Sequence, residues 1–186
     1  MTPIKECLIN KSTKINPVWL MRQAGRYLPE FREIRKSNPD FIKLCLNHTL
    51  SEEITLQPIK RFGFDAAIIF SDILMIPYGM GQTVEFKKNF GPSLGALQLN
   101  KLASVSKKDL TEKLSPIYKL LSNLKNSNDL KNKDLIGFVG APWTLLVYMV
   151  NRISPKNGLS QEFFKDEVLI NETLGLLDKF IKIHIE

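Results

Sequence analysis

The sequence predicts an α/β protein built on a parallel sheet. Three apolar runs without alternation, 17–21, 66–70 and 135–140, are typical of strands buried on both faces of such a sheet. Helical patterns separate the runs, and the clearest of them is the amphipathic stretch 107–125. Strands that alternate with helices along a chain favour a parallel arrangement.

The composition is that of a folded globular protein, with 44% hydrophobic and 24% charged residues. We expect one domain over residues 1–186. The sequence contains neither an apolar run long enough to cross a membrane nor the features of a signal peptide, so we expect a cytoplasmic protein without a membrane partner. Cys7 and Cys45 fit a reducing compartment, and their spacing does not indicate a metal site.

The net charge of +7 comes from an excess of lysine. Either a solvated surface or a polyanionic ligand accounts for it. Nucleic acid is not an expected partner, because the sequence has no Cys/His finger, no aromatic RNA-binding motif and no concentrated lysine tract. Four of the six arginines lie within residues 22–35. Arginine grips carboxylate or phosphate with a planar fork of donors, so the cluster indicates either anion recognition or a basic helix face.

The first half of the chain has clear boundaries. The run 17–21 is predicted to be a buried strand, and the stretch that follows it, with Gly25 and Pro29, a loop. Ser51 and the two glutamates after it predict the start of a helix. Pro58 should kink or break that helix, and Gly63 should end it.

The second half continues the alternation. Residues 82–100, which contain a Gly-Pro turn, are predicted to form a small hairpin. After the strand at 135–140 we expect helices over residues 144–151 and roughly 160–185, where leucine and isoleucine recur at helical spacing.

Three candidate features follow the ends of predicted strands: residues 22–26, Asp72, and residues 141–148. Ligand sites in parallel α/β folds lie at the carboxyl ends of the strands. Guanidinium groups there would hold an anionic substrate, and Asp72 would stabilise a positive centre that develops during a reaction without a cofactor. Two alternatives stay open: Asp72 could cap the next turn, and Tyr148 could pack as an ordinary helix residue.

Three long motifs in order resemble the uroporphyrinogen decarboxylase family. They are PVWLMRQAGRYLPEFREIR at 17–35, FDAAIIFSDILMIPYGMG at 64–81 and GFVGAPWTLLVYMV at 137–150. The resemblance implies a (β/α)8 barrel that acts as a homodimer. It implies removal of the carboxyl groups from the four acetate side chains of uroporphyrinogen, giving coproporphyrinogen in haem biosynthesis, without a cofactor or metal.

The resemblance also assigns roles to individual residues. Asp72 would bind the pyrrole N–H groups and stabilise the cationic transition state, while Arg22 would act as the proton donor or position it. The substrate carries eight carboxylates, which accounts for the arginine cluster. The residues expected to bind substrate are Arg22, Gln23, Ala24, Gly25, Arg26, Arg35, Asp72 and Tyr148.

The chain is shorter than a barrel of this family. Eight strands with their helices take about 250 residues or more, whereas three barrel strands are predicted here. We therefore expect the N-terminal portion of the barrel. Two hypotheses stay open: a decarboxylase with impaired turnover, or a piece that binds only tetrapyrrole or needs a complementing chain.

Overall fold

The structure, a computed structural model, describes residues 1–11, 16–87, 90–154, 163 and 165–186. The helices are α1 (Pro3–Asn10), α2 (Pro29–Ser37), α3 (Phe41–Cys45), α4 (His48–Phe62), α5 (Met75–Gly79), α6 (Leu99–Ala103), α7 (Lys107–Lys125), α8 (Pro142–Asn151) and α9 (Glu167–Ile185). The strands are β1 (Ala66–Ile68), β2 (Val84–Lys87), β3 (Gly91–Leu94) and β4 (Asp134–Ile136). A single 3-10 turn spans Asn128–Leu130.

The chain divides into two compact units. The first contains residues 1–39, 43–71 and 116–138, and the second contains residues 40–42, 72–115 and 139–186. This division does not test the expectation of one domain, which stays a prediction. No helix within the described ranges is long and apolar enough to span a membrane.

The first unit is built on the parallel pair β1 and β4. Ala66 lies opposite Asp134 and Ile68 opposite Ile136, and the amide of Ile69 extends the ladder by donating to the carbonyl of Ile136 at 3.1 Å. The side chains of β1 are largely buried, and α4 packs against this strand. A parallel α/β arrangement is therefore confirmed for this part of the chain.

An apolar core lies beside this sheet and holds α2 and α4 together. Its buried members are Leu28, Phe31, Leu44 and Ile54, and the partly buried residues packed against them are Ala24, Ile34, Leu50 and Phe70. The proline at the first position of α2 suits a helix start, because its missing N–H would have no intrahelical partner there.

The prediction of a buried strand over residues 17–21 is wrong. Val18, Leu20 and Met21 are 52%, 52% and 79% exposed, and the segment forms no regular ladder. The main-chain N–H groups of this segment are not available for a ladder. Pro17 has no N–H. The amide of Val18 donates to the carboxylate of Asp65 at 2.7 Å, and the amide of Leu20 donates to the side chain of Gln23 at 3.3 Å. One main-chain bond, from Asp65 N to Val18 O, joins the segment to the start of β1.

The start of α4 also differs from the prediction. The helix begins at His48, because the side chain of Asn47 caps it by accepting from the amide of Leu50 at 3.1 Å. Ser51 lies inside the helix, and its hydroxyl donates to the carbonyl of Leu44. The helix continues through Pro58, so of the predicted kink or break the break is wrong, and the kink stays a prediction. It ends at Gly63, whose φ of +71° confirms the predicted stop.

The second unit combines the β2–β3 hairpin with a helical layer. The hairpin confirms its prediction, and so does α7 over residues 107–125, of which 107–115 belong to the second unit and 116–125 to the first. Helix α8 packs on α9, whose buried face includes Leu177 and Phe180. Part of the range predicted for the last helix, residues 160–162 and 164, lies outside the described residues. Gln82 ties hairpin and helix together, because its amide nitrogen donates to the carbonyls of Gly95 and Met149.

Candidate functional site

The loop between residues 21 and 28 is held in place by a buried glutamine. Gln23 is 2% exposed, and its side-chain nitrogen donates to the carbonyl of Ala66 in β1 at 2.9 Å. The main-chain carbonyl of Gln23 accepts a hydrogen bond from the hydroxyl of Tyr27. The main-chain amide of Leu28 donates to the carbonyl of Gly25 at 3.0 Å and closes the loop. The loop is therefore attached to the strand at its centre and closed on itself at its end.

Two predicted anion-binding arginines lie on this loop. Arg22 and Arg26 are exposed, and within the described ranges their guanidinium groups have no hydrogen-bond or ion-pair partner. Arg32 supports the loop from α2, since its Nη1 donates to the carbonyls of Arg26 and Tyr27 at 3.0 and 3.3 Å. The loop thus presents two available guanidinium groups, whereas Arg32 is used in building it.

The other predicted residues of the first unit have local structural contacts. Ala24 packs against the apolar core. Gly25 accepts the bond that closes the loop, and a side chain there would touch the ring of Tyr27 only at ordinary contact distance. Arg35 donates to the carbonyl of Asn38 at 2.6 Å, at the C-terminal end of α2, where a positive charge is favourable.

Asp72 belongs to the second unit and follows β1 by four residues. Its Oδ1 accepts from the amide of Leu74 at 2.8 Å, the geometry of a local Asx turn. Within the described ranges its Oδ2 accepts no hydrogen bond. Burial raises the pKa of Asp72, and the bond from Leu74 offsets part of this effect. One oxygen of this carboxylate therefore caps the local turn, as the alternative interpretation of Asp72 expected, while the other is available to a ligand.

Gly140 is a residue of this region that the sequence reasoning missed. A Cβ at this position would lie 2.5 Å from Cδ2 of Leu145 and 3.1 Å from Cβ of Ile73. The loop before α8 can approach the residue after Asp72 only because position 140 has no side chain. The sequence offers no signal for this beyond the presence of a glycine, since the requirement depends on how the side chain of Leu145 and the distant Ile73 pack against it.

Tyr148 lies on α8, and its hydroxyl is 3.5 Å from the hydroxyl of Ser154. The buried residues of this helix are Leu145, Leu146, Val147, Met149 and Val150. Tyr148 itself is half-buried, so its ring packs partly on the protein while its hydroxyl is accessible.

The structure separates the predicted site residues by unit. Arg22, Gln23, Ala24, Gly25, Arg26 and Arg35 belong to the first unit, whereas Asp72 and Tyr148 belong to the second. Within the first unit, residues 22–26 share one loop. Among the described residues, no group of three or more His, Cys, Asp or Glu side chains is arranged to hold a metal ion.

Comparison with known proteins places the chain in a family. The sequence profile described as "Uroporphyrinogen decarboxylase (URO-D)" matches residues 2–184, nearly the whole chain. The chain belongs to the uroporphyrinogen decarboxylase family. The matched region contains the loop between residues 21 and 28, called the arginine loop below, together with Asp72 and Tyr148.

Curated relatives agree with the profile. Uroporphyrinogen decarboxylase of Chelativorans sp. (strain BNC1) is 46% identical over 145 residues, which is 78% of this chain and 42% of the relative. The protein of the same name from Rickettsia felis is 37% identical over 187 residues, covering 100% of this chain and 54% of the relative. That from Campylobacter jejuni is 38% identical over 185 residues, 97% of this chain and 54% of the relative. The chain therefore spans about half the length of the curated relatives it matches.

Proposed function

We propose that this chain acts in the decarboxylation of uroporphyrinogen to coproporphyrinogen, the reaction after which its relatives are named. The observation that carries the proposal is the arginine loop. The buried side chain of Gln23 binds this loop to β1. The guanidinium groups of Arg22 and Arg26, which lie on the loop, donate no hydrogen bond to any other described residue. Available guanidinium groups on an anchored loop suit a substrate rich in carboxylates.

Arg22, Arg26 and Arg35 take the role of carboxylate binding in this proposal. A bound carboxylate accepts two parallel N–H donors from one guanidinium, which fixes its direction as well as its position. The contact between Arg35 and Asn38 uses one donor of that guanidinium. Gln23 contributes by positioning Arg22, because its own amide is engaged with the backbone of β1.

Asp72 takes the role of stabilising charge. Loss of CO2 from a pyrrole acetate requires an electron sink, which protonation of the pyrrole ring beside the acetate provides. The electrons of the broken C–C bond flow into this cationic ring, and a second proton then converts the exocyclic methylene into a methyl group while the ring proton leaves. The net change is one proton gained for each CO2 lost.

The environment of Asp72 fits that role. A carboxylate in a desolvated place attracts a cationic ring more strongly than it would in water. The same burial raises the pKa of Asp72. A cationic ring bound beside it would favour the ionised form again. We assign Arg22 the part of positioning or delivering the proton, and Tyr148 a contact with the substrate.

The proposal includes the fold and assembly that the resemblance implies, a (β/α)8 barrel acting as a homodimer. The parallel pairing of β1 with β4 and the intervening helices support a barrel wall. Sedimentation of the purified chain tests the assembly: a mass of two chains supports the dimer, and a single-chain mass at all concentrations contradicts it.

The activity itself is tested by incubating the purified chain with uroporphyrinogen under anaerobic conditions. Products are oxidised and separated by their number of carboxyl groups. Coproporphyrinogen, or the intermediates with five to seven carboxyl groups, would support the proposal. An unchanged substrate in an assay where a full-length relative is active would contradict it for the chain alone.

A second candidate function rests on the exposed apolar segment at residues 18–21. Val18, Leu20 and Met21 are exposed beside a strand that could accept further neighbours. Such a surface suits a chain that binds tetrapyrrole and needs a complementing polypeptide for turnover. The discriminating observation is saturable binding of uroporphyrin without turnover, with activity gained when a polypeptide covering the C-terminal half of a relative is added.

A further inference from the structure

Arg152 directly follows α8, the helix that carries Tyr148, and has an unusual backbone conformation. Its φ is +62° and its ψ is 4°, in the left-handed region that most residues other than glycine avoid. Its main-chain N–H donates to the carbonyl of Tyr148 at 2.8 Å and so ends the helix. Glycine usually occupies such a position, so the turn itself does not explain an arginine there.

The side chain of Arg152 takes the place of its own main chain in a pairing with β3. Ser93 and Ile153 form an antiparallel bridge, and the adjacent amide of Leu94 donates to the carbonyl of Arg152 at 2.7 Å. In a regular antiparallel pair, the amide of Arg152 would donate to the carbonyl of Leu94 in return. Because that amide ends α8, the Nε of Arg152 donates to this carbonyl instead, at 3.2 Å. The guanidinium is thereby held beside the end of α8 through its Nε.

The two Nη groups of Arg152 have no hydrogen-bond or ion-pair partner within the described ranges. Arg61, the other arginine outside residues 22–35, differs in this respect, since its Nε and Nη2 lie 2.9 and 3.0 Å from the carboxylate oxygens of Glu30. Arg152 is exposed, so a ligand can approach it. The edge of a guanidinium that its two Nη groups form binds a carboxylate through two parallel hydrogen bonds.

The surroundings of Arg152 connect it with the predicted substrate contact at Tyr148. The hydroxyl of Tyr148 lies 3.5 Å from the hydroxyl of Ser154, two residues after Arg152. The chain therefore folds back after α8, so that the polar end of the tyrosine meets the segment that carries the guanidinium. The sequence from residue 135 to residue 161 contains neither Asp nor Glu, so no carboxylate of this stretch competes for Arg152.

We propose that Arg152 binds one carboxylate of the tetrapyrrole that contacts Tyr148. This inference rests on the proposed function and adds to it a carboxylate-binding group in the second unit, which also contains Asp72. The two Nη groups hold the carboxylate, and the bond from Nε to the carbonyl of Leu94 fixes the direction of the guanidinium before the ligand arrives. Arg152 is a binding residue and takes no part in proton transfer.

Fluorescence titration of Arg152→Gly with uroporphyrin tests the proposal. Glycine removes the guanidinium and suits a φ of +62°, so the main-chain hydrogen bonds at this position can form unchanged. The affinity for uroporphyrin should fall about fivefold or more. The melting temperature should stay within about 4 °C of the unchanged chain, because the loss of the bond from Nε and the relief of the backbone conformation act in opposite directions.

Lys11→Gly is the matched control. Lys11 is also a basic residue that ends a helix in the left-handed conformation, with a φ of 52°, and it belongs to the first unit. Its replacement removes the same charge and should leave the affinity for uroporphyrin within about twofold. Arg152→Lys separates charge from geometry: lysine keeps the charge without the two parallel donors, so it should restore only part of the affinity that Arg152→Gly loses.

Three outcomes would overturn this inference and leave the proposed decarboxylation intact. In the first, Arg152→Gly binds uroporphyrin as tightly as the unchanged chain. In the second, Arg152→Gly and Lys11→Gly lose affinity equally, because binding then depends on net charge. In the third, Arg152→Gly melts at a lower temperature while the dissociation constant of the folded protein is unchanged, because the arginine then only supports β3. A failure of the unchanged chain to bind uroporphyrin would overturn both proposals.

Discussion

The side chain of Gln23 donates to the carbonyl of Ala66 at 2.9 Å and so joins the arginine loop to the buried strand β1. The two residues are 43 positions apart in the chain. The other end of the same amide accepts from the amide of Leu20 at 3.3 Å. A single buried side chain therefore joins the backbone just before Arg22 to the strand and anchors the loop that carries this arginine.

Replacing Gln23 with Met should lower the free energy of unfolding by about 1–3 kcal/mol. The change removes the buried hydrogen bond to the carbonyl of Ala66 and the longer one from the amide of Leu20, and it leaves the Ala66 carbonyl without this partner. Urea denaturation followed by circular dichroism measures the effect. Binding of uroporphyrin should weaken as well, because Arg22 loses its support.

Gln98→Ala is the matched control for this change. Gln98 is exposed and its side chain does not cap the helix it precedes, so its removal should change stability by less than about 0.5 kcal/mol. Equal effects of the two substitutions would mean that the bond from Gln23 to Ala66 does not stabilise the protein.

Substituting Arg22 or Arg26 with Ala should weaken uroporphyrin binding about fivefold or more each, because each loses a guanidinium that pairs with a carboxylate. Fluorescence titration of the purified variants measures this. The control is Lys119→Ala, which removes one exposed positive charge from α7 outside the arginine loop. If all three variants lose affinity equally, binding depends on net charge alone and the arginine loop is not the site.

Asp72→Asn should make the protein more stable at neutral pH. The pKa of Asp72 is raised by burial, so between its unfolded and folded values the unfolded chain holds fewer protons than the folded chain. The free energy of unfolding therefore falls as the pH rises through this interval, which begins near the ordinary value of 3.8. The asparagine variant avoids that loss, and its advantage should disappear below pH 3.8.

Asp109→Asn should change the free energy of unfolding in the opposite direction to Asp72→Asn. The hydroxyl and amide of Ser106 donate to the Asp109 carboxylate at 2.6 and 2.9 Å and hold its pKa below the usual value. Its stabilising effect is present above the unfolded pKa and is lost as the pH falls. The substitution should therefore reduce stability at neutral pH. Thermal melts from pH 3 to 8 on both variants compare the two signs, and an identical response would refute the role of burial at Asp72.

Gly140→Ala should destabilise the protein by about 1–3 kcal/mol, because the new methyl group would overlap Leu145 and crowd Ile73. Leu145 is fully buried and cannot move aside without disturbing its neighbours. Gly137→Ala is the control, since nothing lies within 4 Å of a Cβ built there. Urea midpoints give the comparison, and a Gly140→Ala protein as stable as Gly137→Ala would show that the approach to Ile73 is not tight.

The spacing of apolar residues within a segment predicts an element correctly when that segment's own residues determine which face is buried. Helix α7 has the predicted bounds, 107–125, because its apolar spacing alone determines which face is buried. The run 17–21 was predicted wrongly from its apolar character. Burial and strand pairing depend on partners far along the chain, and here Asp65 and Gln23 use the donors that a ladder would need.

The candidate site shows the same limit. Arg22 and Arg26 were found from clustering, and Asp72 from its place after a buried strand. Neither the anchoring by Gln23 nor the close approach at Gly140 could be predicted, because each depends on a contact with a residue outside its own segment.

The most direct test of the account compares Asp72→Asn with the unchanged chain in two assays, binding of uroporphyrin and anaerobic turnover of uroporphyrinogen. The account predicts that the unchanged chain forms decarboxylated product, and that Asp72→Asn binds uroporphyrin within about threefold of it while product formation falls by about two orders of magnitude or more. Equal turnover by both proteins, or binding without any turnover by the unchanged chain, would contradict it.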